Sequence, residues 1–149
     1  IDIEERKALI KKLINENYIT YDEFVESGKN KKKYSITAAG KEFFLNWLSQ
    51  PIHSATEHNR ILTKLFFMGM LSPEKRTPVI QSYIDVLHKK LDALNSSMHT
   101  AKNVKVSDEL KIIASFQLET ILLSIQSIQF EIDWYNTLLD RINTEEELS

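Results

Sequence analysis

Apolar and polar positions alternate with a helical period at the start of the chain. The apolar positions lie on one helix face and are Leu9, Ile10, Leu13 and Ile14. Charged side chains occupy the remaining faces, and Glu4 and Glu5 suit the positive N-terminal end of a helix. The pattern predicts a helix over about residues 3–16.

The period changes to two in "YITYDEFVES", residues 18–27, where β-branched and aromatic residues are abundant. This pattern is typical of a strand. The segment "GKNKK", residues 28–32, then supplies a turn, and "KYSIT", residues 33–37, supplies a returning strand. Four of the five residues 29–33 are lysines. We therefore predict a β-hairpin with a lysine-rich tip.

Two shorter helices are predicted after the hairpin. Thr37 is placed to cap "AAGKEFFLNWLSQ", and Pro51 marks its end. The segment "SATEHNRILTKLFFMG", residues 54–69, predicts the next helix, with Gly69 as its C-terminal cap. The apolar residues that we expect this helix to bury are Ile61, Leu62, Leu65 and Phe66.

Two heptad series dominate the remainder of the chain. The first follows a start at Ser72 and Pro73, and it contains Ile80, Ile84, Leu87, Leu91, Leu94 and Met98. The second follows a cap at Ser107, and it contains Leu118, Ile121, Ile125, Ile128, Ile132, Tyr135, Leu139 and Ile142. A helix over about 107–142 would be roughly 50 Å long, too long to bury both of its sides against its own chain. A second copy is the simplest cover, so we expect a symmetric homodimer.

The expected dimer contact lies along this last helix. We assign dimerisation to Leu118, Ile121, Ile125, Ile128, Ile132, Trp134, Tyr135 and Leu139. Further aromatic residues broaden the apolar surface beyond one seam. Among them Phe116, Phe130, Trp134 and Tyr135 could line a site for a flat ligand or could belong to the dimer core, and the lack of an obvious polar anchor favours the core.

The order of elements indicates the fold class. A basic helix, a two-stranded hairpin with a basic tip and a further helix form the latter part of a winged helix-turn-helix, in which the helix enters the major groove and the wing flanks the backbone. We expect a mainly α protein: a partial winged-helix domain at 1–50, apparently without its first helices, and a long antiparallel helical dimerisation domain at 51–149. The chain contains only three glycines and three prolines, which is typical of a mainly helical protein.

Charge is distributed unevenly along the chain. Residues 1–41 hold nine Lys and Arg against seven Asp and Glu, whereas residues 102–149 hold four against nine, within a net charge of −2. A basic front and an acidic back indicate that the front meets a polyanion.

Other kinds of chemistry find little support in the sequence. There is no cysteine, no G-x-S-x-G and no phosphate-binding glycine-rich loop, so we expect no enzyme and no cofactor. None of the four histidines, His53, His58, His88 and His99, has the spacing of a helical metal pair. No apolar run approaches the roughly 20 residues of a membrane span, and no secretory signal is visible, so we expect a cytoplasmic protein without a membrane partner.

The segment "KKLINENYITYDEF…GKNKKKYSITAAGKEFFLNWLSQP" resembles the PadR family of bacterial transcriptional regulators. The family carries a segment like "(R/K)KYYxLTxxGRExLxxWL". The matching positions are Lys32, Lys33, Tyr34, Ile36, Thr37, Gly40, Lys41, Phe43, Trp47 and Leu48. The later "ILTKLFFMGMLSPEKR" is similar to the family's "LLLKLFFGxxLSPEE", and the Trp134 region is similar to the closing helix of its longer members.

This resemblance implies a homodimeric, sequence-specific regulator of transcription, and we expect a repressor. It also implies a helical half that makes the dimer and, in some members, senses small aromatic compounds. The residues expected to meet double-stranded DNA are Arg6, Lys7, Lys11, Lys12, Lys29, Lys31, Lys32, Lys33 and Tyr34. Where the family tends to have a polar residue and then "IY", this chain has Glu4, Arg6 and Lys7, so no particular operator is carried over.

An alternative stays open. The chain could form a helical dimer that serves as a protein-interaction module without binding DNA. The acidic second half, the net charge of −2 and the carboxylates of Glu4 and Glu5 favour this alternative.

Overall fold

In the computed structural model, which describes residues 2–54 and 58–144, the first helix begins with a reciprocal cap. The Asp2 carboxylate accepts a hydrogen bond from the Glu5 amide at 2.8 Å, and the Glu5 carboxylate accepts one from the Asp2 amide at 3.2 Å. This capping box satisfies two amides that the helix itself leaves unpaired. The helix, α1, spans Ile3–Asn15, close to its predicted bounds.

The chain folds into two compact units, Ile1–Ser49 and Gln50–Ser149. After α1, the first unit contains the antiparallel strands β1 (Ile19–Glu26) and β2 (Lys29–Ile36) and the helix α2 (Ala38–Ser49). The predicted order of helix, hairpin and helix is therefore confirmed, and α2 ends before Pro51 as expected.

The position of the turn differs from the prediction. Ser27 and Gly28 form a two-residue loop, with φ angles of 52° and 74°, and Glu26 pairs directly with Lys29. Positive φ at both loop residues is the geometry that matches the twist of a hairpin. The expected tip "GKNKK" is therefore wrong. The lysines lie within β2, where each is opposite a residue of β1.

The start of α2 is tied to the start of β1 by Thr37 and Gly40. Thr37 Oγ1 accepts a hydrogen bond from the Gly40 amide at 3.0 Å, which confirms Thr37 as the cap, and donates one to the Asn17 carbonyl oxygen at 2.6 Å. Gly40 is buried, and a Cβ atom there would lie 2.0 Å from the Tyr18 carbonyl oxygen. The Tyr18 ring also stacks on Phe43, with centroids 4.5 Å apart. Only glycine permits this close approach of helix and strand.

The second unit is helical. It contains α3 (His58–Phe67), a 3₁₀ turn (Met68–Met70), α4 (Pro73–Lys102), a 3₁₀ turn (Asp108–Leu110) and α5 (Lys111–Asn143). Ser72 and Pro73 begin α4 as predicted. Ser54, the predicted start of the preceding helix, is not helical, and residues 55–57 lie outside the described ranges. Gly69 lies inside a 3₁₀ turn rather than capping α3.

The helices α4 and α5 pack antiparallel along much of their length. Thr77 bonds to Asn143 at 3.2 Å, and the ring of Tyr83 meets that of Tyr135 edge to face at 5.2 Å. The buried residues of the two helices come mostly from the predicted heptad series, and they include Ile80, Ile84, Leu87, Ile128, Ile132, Tyr135 and Leu139. The predicted mainly α fold, with a hairpin followed by long helices, is confirmed.

Burial on α3 departs from the prediction. Ile61 is fully buried as expected, but Leu62 is 48% exposed and Phe66 is 82% exposed. The helix instead buries Lys64, whose Nζ donates to the Gln50 carbonyl oxygen at 2.9 Å. A lysine can be buried when its long apolar stem packs and its ammonium finds an acceptor. The apolar stripe of α3 is therefore only partly used within the chain.

The contact at Gly40 yields a stability prediction. Gly40→Ala should lower the free energy of unfolding by about 2–3 kcal/mol, because the new methyl group overlaps a backbone oxygen that cannot move alone. Chemical denaturation followed by circular dichroism measures the change. Gly69→Ala is the matched control, since a Cβ there meets no atom within 4 Å. Equal stability of the two variants would contradict the assigned contact.

Candidate nucleic-acid interface and helical groove

The basic residues of α1 do not share one face. Lys7 and Lys11 are four residues apart and lie on the same exposed side, whereas Lys12 lies on the opposite flank. Arg6 is in line with the half-buried apolar residues Ile10 and Leu13. The helix therefore presents a pair of lysines to solvent rather than a continuous basic stripe.

Two of these cations are paired within the helix. Lys7 Nζ lies 2.7 Å from Glu4, and Lys12 Nζ lies 3.9 Å from Glu16. Within the described part of the chain, Arg6 and Lys11 make no ion pair. Both are exposed, so they are the cations of α1 that are most available to an external anion.

The strand β2 divides its lysines between the two faces of the hairpin. Lys29, Lys31 and Lys33 alternate along one face, and Lys32 lies on the other face with Tyr34. Three acids of β1 stand across from lysines in the register, Asp22 from Lys33, Glu23 from Lys32 and Glu26 from Lys29. The two strands together hold four lysines against three acids, so their net charge is +1.

Cross-strand ion pairs engage half of these lysines. Lys31 is in direct contact with the Glu26 carboxylate, and Lys32 Nζ lies 3.1 Å from Glu23 and 4.0 Å from the centre of the Tyr21 ring. The hydrogen bond to Glu23 raises the pKa of Lys32 above its ordinary value. Among the described residues, no acid lies within ion-pair distance of Lys29 or Lys33. The hairpin is thus partly neutralised by its own acids, which the lysine count alone does not indicate.

The assigned dimerisation residues fall into two groups. Ile128, Ile132, Tyr135 and Leu139 are buried within the single chain, where α5 packs on α4. Leu118, Ile121 and Ile125 are half-buried, and Trp134 is exposed. A second apolar stripe, which the heptad assignment did not use, runs along the exposed side of α5. Its members are Ile112, Phe116, Leu123 and Phe130, and the exposed side chains of Ile113 and Leu122 flank it on either side.

An open groove of about 690 Å³ lies between α3 and the second half of α5. The described residues that line it are Leu62, Leu65, Gln126, Ser127, Phe130, Glu131, Trp134 and Tyr135. Three of the four aromatic residues considered for a ligand site are thus brought together, and Phe116 is not among them. The groove has the volume of typical small-molecule sites.

Glu131, which the sequence analysis did not single out, is the acidic residue among the described residues that line the groove. Its Oε2 accepts a hydrogen bond from the Tyr83 hydroxyl at 3.1 Å. Burial, and then the charge of Glu131, raise the pKa of Tyr135 to about 12, and the same two causes raise the pKa of Tyr83. The signal in the sequence was present but weak, because Glu131 lies between two apolar positions of one heptad series.

The described residues contain no cluster of three or more His, Asp and Glu side chains that could hold a metal ion. His53, His88 and His99 are exposed and far apart along the chain, and the side chain of His58 lies outside the description. Across the described ranges, none of the helices combines the length and apolar character of a membrane span.

Residues 58–143 match the family model described as the virulence activator alpha C-terminal domain, and this segment is more than half of the chain. The chain belongs to this family. The matched segment covers α3, α4 and α5, and it therefore includes both helices whose residues line the groove. Among curated proteins, none matches the chain significantly.

Solved structures similar to the chain include Bacillus subtilis PadR in complex with operator DNA. That structure is 22% identical, with a TM-score of 0.45, over 93% of this chain and 78% of the other. The same PadR in complex with p-coumaric acid is 20% identical, with a TM-score of 0.46, over 96% and 79% of the two chains. A PadR-like regulator from Bacillus cereus is 16% identical, with a TM-score of 0.48, over 94% and 76%. The predicted resemblance to PadR-like regulators is confirmed.

The burial of Tyr135 next to Glu131 predicts that the folded protein loses stability at alkaline pH. Because the folded protein holds the pKa of Tyr135 at about 12, above the ordinary 10.0, its contribution to the free energy of unfolding is complete below pH 10 and is lost as the pH rises through 12. Difference absorbance titration of the wild-type protein against Tyr135→Phe should show the tyrosinate appearing near pH 12. Glu131→Gln should lower that midpoint. Tyr21→Phe, on the hairpin, is the matched control, and a Tyr135 midpoint at pH 10 would contradict the assignment.

Proposed function

We propose that the protein is a sequence-specific, DNA-binding regulator of transcription that acts in the cytoplasm as a homodimer, and that it represses its target. The observation that carries the proposal is the arrangement of the first unit. A basic helix leads directly into a lysine-bearing hairpin through the backbone hydrogen bonds of Asn17 and Tyr18, and Thr37 and Gly40 fix the following helix, α2, to the same two residues. The likeness to PadR in complex with operator DNA is in keeping with it.

In this proposal α1 enters the major groove, where Lys7 and Lys11 reach bases or phosphates and Arg6 and Lys12 contact the flanking backbone. The hairpin acts as the wing. Lys29, Lys31 and Lys33 face the phosphates, and Lys32 and Tyr34 line the other face of the wing. Lysine contacts to phosphate release counterions and give affinity that falls as salt rises.

The ion pairs within the wing determine which of its lysines can bind phosphates readily. Lys31 and Lys32 already have carboxylates as partners, so a phosphate must compete with Glu26 and Glu23 for them. Lys29 and Lys33 face no such competition within the described residues. We therefore assign most of the affinity of the wing to Lys29 and Lys33.

Dimerisation is proposed through the exposed side of α5. Burying an apolar side chain of this size contributes about 1.5–3 kcal/mol, and the first half of α5 leaves several exposed, including Ile112, Phe116 and Leu123. A second copy related by a two-fold axis would cover such a stripe with the same stripe. Leu118, Ile121 and Ile125 are half-buried on the side of α5 that continues the α4-facing heptad series, and a second copy that also reached this side would complete their burial. Trp134 and the groove lie further along α5, and we assign to them the response to a small aromatic effector.

A second candidate function is a dimeric protein-interaction module that does not bind DNA. The observation that favours it is the charge balance of the wing, where three acids stand among four lysines. A mobility shift with the protein and the DNA upstream of its own gene separates the two candidates, since the module would produce no shift.

Paired lysine variants test the DNA-binding proposal. Lys29→Gln with Lys33→Gln should weaken binding to duplex DNA by roughly 10- to 30-fold at physiological salt and should lower the slope of log affinity against log salt by about one to two. The reason is the loss of two phosphate contacts that have no competing carboxylate. Fluorescence anisotropy with a labelled duplex from the upstream region of the gene, over a range of salt concentrations, gives both quantities.

Lys31→Gln with Lys32→Gln is the matched control, because it removes the same charge from the same strand. It should weaken binding less. Glu23→Gln with Glu26→Gln, which releases both lysines, should strengthen binding and steepen the salt slope. If the two double-lysine variants lost equal affinity for DNA, the ion pairs would not have the assigned role. If neither variant changed the slope of log affinity against log salt, the wing would not contact the DNA backbone.

Introducing carboxylates on the exposed side of α5 tests the dimer. Phe116→Glu with Leu123→Glu should convert the dimer to a monomer, because two carboxylates per chain would be buried without partners at the contact. Size-exclusion chromatography with light scattering measures the mass. Gln117→Glu adds a charge at an exposed polar position of the same helix and should leave the dimer intact. A wild-type monomer at micromolar concentrations would refute the proposed contact.

A further inference from the structure

We propose that a cavity beside residues 103–107, which connect α4 to α5, binds a medium-chain aliphatic carboxylate. In this site, called the tip cavity, the hydrocarbon chain lies on Leu118 and Ile121, and the carboxylate meets the ammonium of Lys102. The inference goes beyond the proposed function and does not depend on it, because it involves neither the wing nor the exposed side of α5.

The tip cavity is separate from the groove beside α3. It has a volume of about 470 Å³, which is within the range of small-molecule sites. Ala114, Leu118 and Ile121 line it at intervals of three and four residues, so they share the side of α5 that continues the α4-facing heptad series. At about 3.6 residues per turn, Phe116 of the exposed apolar stripe lies on the opposite side of the helix. No described residue lines both the cavity and the groove.

The walls of the tip cavity are aliphatic. Leu118 and Ile121 are half-buried, and Val104 and Val106 are 59% and 38% exposed. None of the described residues that line the cavity is aromatic. Such walls bind a hydrocarbon by removing apolar surface from water, without the ring stacking that favours a flat aromatic ligand. A flexible alkyl chain therefore suits this cavity better than a planar ring.

The charge of the tip cavity selects the sign of the ligand. Lys102 and Lys111 are among its described lining residues, and none of these is acidic. Lys111 Nζ lies 2.5 Å from the Asp108 carboxylate, so its charge is balanced within the chain. Lys102 is exposed and makes no ion pair with any residue in the described ranges. Its long, flexible stem lets the ammonium follow an anion at the edge of the cavity. An unpaired ammonium beside aliphatic walls makes a site for an alkyl chain that ends in a carboxylate.

Alkyl ligands that differ in length and in charge test the proposal. Isothermal titration calorimetry on the full chain, without DNA and below the concentrations at which the ligands form micelles, compares octanoate, decanoate and decylammonium. Each methylene that enters the cavity should raise the affinity by about threefold to fourfold, so decanoate should bind about tenfold more tightly than octanoate. Decylammonium, which has the same chain and the opposite charge, should bind at least about fivefold more weakly than decanoate.

Lys102→Gln tests the assigned cation. It should reduce the affinity for decanoate by about three- to fivefold and narrow the difference between decanoate and decylammonium, because an exposed ion pair is lost. Lys90→Gln is the matched control. Lys90 is also an exposed lysine of α4 without an ion pair in the described part of the chain, but it lies outside the cavity, so neither affinity should change.

Ser115→Trp provides a second variant that keeps the core intact, since Ser115 is an exposed lining residue, and its indole ring should fill the cavity and weaken every ligand. Equal affinity for decanoate and decylammonium, no gain from octanoate to decanoate, or full decanoate affinity in Lys102→Gln would overturn the proposal. Failure of the folded protein to bind decanoate would also overturn it. Binding to vesicles of phosphatidylcholine and phosphatidylglycerol without binding to free decanoate would do the same and would assign the surface to a lipid bilayer. Because no DNA is present, a failure here is distinct from a failure of the DNA-binding proposal.

Discussion

The second unit depends on one constraint: α5 has apolar side chains on two opposite sides, and α4 can cover only one. The helix is 33 residues long, or roughly 50 Å at 1.5 Å per residue. Ile128, Ile132 and Tyr135 fill the side that faces α4. The opposite side keeps Phe116, Leu123 and Phe130 in solvent. Apolar surface of this extent is costly to hydrate, so its burial against another surface is favourable. The groove beside α3 and the proposed dimer contact both lie on this exposed side of α5.

A different constraint governs the hairpin. Antiparallel pairing fixes which side chains stand opposite each other, and the two-residue loop at Ser27 and Gly28 sets that register. Because the loop is so short, the four lysines fall inside the strand, and three of them stand opposite acids. Exposed ion pairs of this kind are weak and are exchanged readily with other partners. The wing is therefore better suited to adjustable, salt-sensitive affinity than to a rigid grip.

The sequence predicted the elements well where periodicity and capping agree. Thr37 and Pro73 marked helix starts correctly, and the heptad series identified most of the α4–α5 core. The prediction was wrong where a single residue decides between two registers of a hairpin. Gly28 was taken as the first residue of a longer turn, although Ser27 and Gly28 together form the whole loop. Heptad spacing also could not tell whether a seam faces the same chain or another one, since both present the same pattern.

The candidate sites were harder to predict because they depend on distances between elements. Phe130, Trp134 and Tyr135 were recognised as an aromatic group, but the groove also needs α3, whose Leu62 was expected in the core. Glu131 lies three residues before Trp134, a spacing that brings the two onto one helix side. It accepts a hydrogen bond from Tyr83, which is 48 residues away in the chain. Such a contact follows from the antiparallel pairing of α4 and α5 and has no local signal.

In the proposed complex with DNA, the wing supplies affinity and α1 supplies specificity. The wing has a net charge of +1, and its lysines are point charges that do not distinguish bases. Sequence reading then depends on the solvent face of α1, where Lys7, Lys11 and Asn15 follow one another at intervals of four residues. Lysine can donate to guanine, and the amide of asparagine can pair with adenine through two hydrogen bonds. The face is short because α1 has only 13 residues, so one copy can read only a few base pairs. A protein that must select one site among many therefore gains most from presenting two such faces, and this links the uncovered side of α5 to the recognition of DNA.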